Sequence, residues 1–134
     1  MKEELNLYLE LLQKLQFLYD KSFNLSIRTS GSNDISFKEE NAKNIFARIV
    51  LLTIAILRIL PRSKYFYDKS LEFWDISSPA ILIRGLVESY LVFYYLCIDN
   101  ISKEESEFRY KLWVYHSEKE REEMLKTIKP MEKA

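Results

Sequence analysis

The stretch from Pro79 to Asp99 constrains the fold more than any other part of the chain. Apolar residues fall on every face of its helical wheel, and only Arg84 and Glu88 carry charge before the final aspartate. A helix apolar all round is normally surrounded by other helices, so the pattern predicts a central helix. Ser78 fits the N-cap and Pro79 the first helical position, where a missing N–H leaves no bond unmade. Arg84 and Glu88 stand four apart, share a face and can pair. Inside a core, pairing only partly offsets the desolvation of two charges, so their presence asks for a reason. The stretch is also long enough to cross a bilayer, for which about 20 residues suffice. Two charges near its middle are costly in lipid, and no second span exists, because Ile49 to Leu57 is nine residues between Arg48 and Arg58. The reading is therefore no membrane.

The rest of the chain supplies the neighbours. Two glycines, three prolines and no sustained alternation of apolar and polar residues point to helices joined by turns. A first helix is predicted from about Lys2 to Phe23, with Leu5, Tyr8, Leu12, Leu15 and Tyr19 in one stripe and Leu7, Leu11 and Leu18 beside it. Ser26 to Asp34 has loop composition. Ser36 and Glu39 form a capping box that opens a second helix ending at Pro61, apolar nearly all round and expected deep beside the central helix. Arg62 to Ser77, too apolar for a plain linker, reads as a packed irregular connection with one short helix. Ser102 and Glu105 form a second capping box, opening a last helix that runs to about Ile128 before Pro130 stops it. The fold class is all-α, a four-helix antiparallel bundle with one packed irregular connection between helices 2 and 3.

A chain of 134 residues fits a single domain, 1–134, and the uncapped end of the last helix leaves room for a longer parent. Lys and Arg total 20 and Asp and Glu total 20, so no global field draws the chain to nucleic acid, and RNA contact would need a local basic patch. Cys97 is the single cysteine, read as a buried small apolar residue; it excludes an internal disulfide and a cysteine-rich zinc site. With no signal-peptide pattern at the N-terminus, the expected compartment is the cytoplasm. No cofactor and no metal site suggest themselves. Asp68, Glu72 and Asp75 share a helical spacing but read as a solvated face. Tyr90, Phe93, Tyr94 and Tyr95 lack the basic neighbours of a base-stacking platform and read as core or subunit interface.

One constellation has chemical potential. Arg109 and His116 lie seven apart, almost two turns, so both leave one helix face about 10 Å apart along the axis. Such a pair suits metal-independent RNA cleavage. A neutral imidazole can take a proton from a 2′-hydroxyl while a guanidinium holds the charge growing on the phosphorane. The competing reading pairs Arg109 with Glu105, four before it, and His116 with Glu120, four after it.

The segment from Arg109 to His116 resembles the Arg-x(4–6)-His signature of the HEPN superfamily, all-helical RNA-cleaving or nucleotide-binding domains of toxin–antitoxin, CRISPR-associated and anti-phage systems. Pro79 to Arg121 is also similar to an uncharacterised bacterial helical family with an Arg-x-x-x-Glu helix, here Arg84 and Glu88. The resemblance implies a homodimer in which two Arg109–His116 pairs meet in a shared cleft, cleaving RNA without metal and leaving a 2′,3′-cyclic phosphate. It also implies an inactive RNA- or nucleotide-binding relative as the variant of that function, and a cognate antitoxin or other protein as partner. Arg84 and Glu88 then form either the shell behind the catalytic pair or an ion pair that fixes register. The alternative function is a non-enzymatic helical interaction or dimerisation module. Location separates the two: an enzyme needs Arg109 and His116 together in an open cleft, whereas a module lets them point separately into solvent.

Overall fold

Helix starts in this chain are written in local hydrogen bonds, and a capping box at Ser36 and a serine cap at Ser102 locate two of them. The computed structural model describes residues 1–31, 36–67 and 74–128. Four long helices are present: α1 (Lys2–Thr29), α2 (Phe37–Ile59), α3 (Ser77–Phe93) and α4 (Lys103–Ile128). A π-helical turn, Tyr94–Ile98, follows α3 directly. The all-α, four-helix class expected from the sequence is the one the chain adopts.

Ser36 caps α2 as predicted. Its hydroxyl accepts from the Glu39 N–H at 3.3 Å, and the Glu39 carboxylate accepts from the Ser36 N–H at 2.9 Å. At α4 the Ser102 hydroxyl accepts from the Glu105 N–H at 3.2 Å. The start of α3 differs from expectation. It falls at Ser77, and the acceptor for its first N–H groups is Asp75, at 2.9 Å from the Ser77 nitrogen and 3.4 Å from that of Ser78. The Ser78 hydroxyl and then the Ser77 N–H hold the Asp75 carboxyl below its ordinary range. Helix α1 also continues six residues past Phe23, because Leu25 and Ile27 sustain helical spacing into the stretch read as loop; Asp34 lies outside the described residues. So do Asp68, Glu72 and Pro130, and with them the short helix predicted before α3.

The chain divides into two compact units, Met1–Phe93 and the part from Tyr94 on. In the first, α2 packs against both α1 and α3. Both neighbours run antiparallel to it: Tyr8 near the start of α1 donates to the Pro61 carbonyl beyond the end of α2 at 2.7 Å, and Phe46 near the start of α2 meets Phe93 at the end of α3, ring centroids 5.8 Å apart. Leu12, Tyr19, Val50 and Leu57 form the core, with Tyr8, Leu15, Phe46 and Tyr65 against them. Ile56 and Leu57 are essentially inaccessible.

Here the sequence expectation is corrected. Among the described residues of the first unit the central position belongs to α2, which has a neighbour on each side, and α3 is not surrounded there. Only Pro79 and Ser89 of α3 are buried, and Gly85 lies over Leu52 of α2. One stripe of α3 suffices for that packing, so the opposite side stays exposed, including Ile81, Val87 and Leu91. Arg84 and Glu88 are on this exposed side rather than in the core, which removes the desolvation penalty foreseen for them. Cys97 is exposed as well, not buried. Among the described residues one helix, Ser77–Ile98, has the length and apolar composition to cross a bilayer, and little of it is buried.

The described part of the connection after α2 is packed against α1. Arg62 takes a left-handed conformation, φ 63°, and the chain then turns so that the Lys64 N–H donates to Gln16 Oε1 at 2.8 Å and Lys64 Nζ meets Asp20 Oδ2 at 2.6 Å. Tyr65 donates its hydroxyl to the other Asp20 oxygen and sets its ring edge-on to Tyr19, centroids 5.1 Å apart.

Candidate functional site

Arg109 sits in the second turn of α4, and its Nε and Nη1 both find acceptors in the same unit. Nε donates to Glu105 Oε1 at 2.8 Å, one turn back on the same helix. Nη1 donates to Asp99 Oδ2 at 2.7 Å and to the Tyr95 carbonyl at 3.3 Å. The guanidinium carbon also lies 4.3 Å from the centre of the Tyr95 ring, a cation–π distance. The side chain is 14% accessible.

The π-helical turn makes this possible. The Asp99 N–H reaches back five residues to the Tyr94 carbonyl, at 3.0 Å. A helix ending this way still presents terminal carbonyls that need donors, and a cation near them is favoured by the helix dipole. Arg109 supplies both. Hydrogen bonds to Glu105 and then to Asp99 raise its pKa further above the arginine value, so it is a permanent cation. With two carboxylates around one guanidinium the local charge is negative, a poor setting for a phosphate.

His116 engages a different neighbour. Its Nδ1 lies 3.4 Å from Glu120 Oε1, and its side chain is 71% accessible. Arg109 thus turns toward the start of α4 and the π turn, and His116 toward the polar second half of the helix. Both i,i+4 pairs of the competing sequence reading, Arg109 with Glu105 and His116 with Glu120, are formed. Arg84 and Glu88, in the first unit, pair through Nε and Oε1 at 3.0 Å in the open.

Two features escape sequence reasoning. Asp99 and Tyr95 as partners of Arg109 depend on a π turn, for which the sequence carries no signal. The cluster of Asp20, Lys64 and Tyr65 joins residues more than forty positions apart. Hydrogen bonds from Lys64 and then Tyr65 hold the Asp20 carboxyl below its usual range, and the same contacts with Asp20 raise Lys64 and Tyr65. Among the described residues no three His, Cys, Asp or Glu side chains converge as a metal site would require.

A pocket of about 410 Å³ opens in the first unit where the end of α1 meets the start of α2, lined by Leu25, Thr29, Lys43, Phe46, Ala47 and Phe93 among others. Of the described residues lining it, Lys43 is the one that titrates, and the Thr29 and Ser30 hydroxyls already donate to α1 carbonyls. It can hold an apolar group but offers no acid–base pair.

Compared with known proteins, the chain matches no family model, no curated protein and no solved structure, so no family is assigned to it and the HEPN resemblance rests on its motif residues alone.

Proposed function

We propose that the protein is a non-enzymatic helical interaction module that associates with a second copy of itself. The observation that carries this reading is the exposed side of α3, where Ile81 is 74%, Leu91 58% and Val87 50% accessible. Exposed apolar side chains gathered along one side of a helix mark an interaction site. Leu11, Leu18 and Leu25 add a second row, seven residues apart and each more than half accessible along α1. Water is a poor neighbour for either row, and a bilayer is a poor one for α3, whose Arg84 and Glu88 occupy the middle of the same side.

The state of Arg109 supports the module over the ribonuclease. A transition-state stabiliser needs donors aimed at the space where charge develops, and here they are aimed at Asp99, Glu105 and Tyr95. Sedimentation velocity of the purified chain tests the reading: a dimer is expected, and a monomer at every concentration overturns it. Incubation with a mixed RNA pool in EDTA tests the enzyme directly. Intact RNA is expected, and cleavage lost in both Arg109→Ala and His116→Ala, with circular dichroism showing both still folded, would replace the module with a ribonuclease.

A further inference from the structure

We infer that the second copy docks α3 against α3 in antiparallel fashion, about a twofold axis level with the midpoint between Arg84 and Glu88, so that each Arg84 faces the Glu88 of the other copy. The inference rests on the self-association reading and names its interface. Four exposed residues, Ile81, Arg84, Glu88 and Leu91, follow one another at spacings of three, four and three along one side of α3. That is the spacing of a helix–helix seam. In an antiparallel pair, residues meet when their numbers share a constant sum. Arg84 with Glu88 and Ile81 with Leu91 share the sum 172, so one axis matches both pairs at once. Each cation then meets an anion and each apolar side chain meets another.

A parallel pair has the opposite consequence, since it sets Arg84 on its own copy and Glu88 on its own copy. The order apolar, cation, anion, apolar is therefore self-complementary in one direction only. The existing pair helps rather than competes: with Arg84 Nε already 3.0 Å from Glu88 Oε1, docking closes a ring of four alternating charges, which keeps each partly desolvated ion compensated. Val87, half accessible, flanks the seam beside the two charges. The four residues span ten helical rises, about 15 Å. A seam this short covers less than the roughly 800 Å² per partner of a standard interface, so a dimer in the micromolar range is expected.

Sedimentation velocity up to about 200 µM, above micromolar dissociation constants, is the test, on the wild-type chain, Arg84→Glu, Glu88→Arg and the double exchange. Both side chains are largely exposed, so circular dichroism should find all four equally folded. Each single variant gathers four like charges around the axis, and its dimer should weaken about tenfold or more. An equimolar mixture of the two single variants should form heterodimers, and the double exchange should dimerise as the wild type does. If the wild type dimerises and the single variants do so equally well, the interface lies elsewhere and the inference fails while the self-association reading stands. A wild-type monomer at every concentration overturns both. Flotation of a monomeric chain with neutral phosphatidylcholine vesicles overturns the inference in favour of a bilayer as the occupant of this side.

Discussion

Arg109 and Asp99 are joined by a 2.7 Å hydrogen-bonded ion pair that ties the second turn of α4 to the residue just beyond the π-helical turn. With Glu105 and the Tyr95 carbonyl on the same guanidinium, this contact organises the second unit. The residue that sequence offers as a catalyst thus has Nε and Nη1 bonded to groups of its own unit.

Replacing Arg109 should therefore act on folding. Arg109→Ala should lower the thermal midpoint and reduce helicity, and Arg109→Lys should recover only part, because an ammonium cannot serve Asp99, Glu105 and the Tyr95 carbonyl in one planar array. His116→Ala, at an exposed site, should stay within about 0.5 kcal/mol of wild type. Thermal melts followed at 222 nm distinguish the three, and equal behaviour of the Arg109 and His116 variants would remove the clamp.

Burial along α2 should set the cost of truncation. Leu57 is 0% accessible and in the core, so Leu57→Ala should cost about 2–5 kcal/mol. Leu51 of the same helix is 67% accessible, and Leu51→Ala should cost less than about 0.5 kcal/mol. Urea unfolding of both variants gives the contrast; similar losses would mean that the outer side of α2 is covered in solution.

Gly85 offers a gain. It stands inside α3, and an added Cβ would meet only Leu52 Cδ1 at 4.0 Å, an ordinary contact. Gly85→Ala should stabilise the first unit by about 0.5–1 kcal/mol through the reduced freedom of the unfolded chain. A lower urea midpoint instead would show that α2 and α3 approach more closely than this.

The Asp20 cluster sets a pH window. Asp20 is depressed below its ordinary 3.8, so its contribution is fully present above that value and is lost as pH falls through the lower folded one. Lys64 and Tyr65 are raised above 10.5 and 10.0, so theirs is present below those values and is lost as pH rises through the folded ones. The stability difference between wild type and Asp20→Asn should thus be flat from about pH 4 to 10 and should shrink as pH falls below that range. Because the groups are partly exposed, the difference should be small and should shrink with salt. Urea midpoints across pH measure it, and a difference that does not shrink at all on acidification below Asp20's ordinary value would rule the ion pair out as its source.

Local chemistry was legible in the sequence. The Ser36–Glu39 capping box, the Ser102 cap and the pairs Arg84–Glu88, Arg109–Glu105 and His116–Glu120 all depend on residues three or four positions apart, where helical geometry alone decides who meets whom. The all-α class followed from the same short-range spacings. Which apolar helix would be buried was not legible, because Ile49–Leu57 and Pro79–Ile98 are both apolar on most sides. Burial depends on how many neighbours a helix acquires, and α2 has two in its unit. Nor could spacing find Asp99 and Tyr95 beside Arg109, since a π turn shifts register by one residue, or bring Asp20 to Lys64 and Tyr65 across more than forty positions. The sequence by itself determined the helices, their caps and their i,i+4 pairs, because those energies are local. Only the tertiary structure decided which apolar side stays open and which groups Arg109 meets beyond Glu105, because both depend on contacts outside the reach of one helical turn.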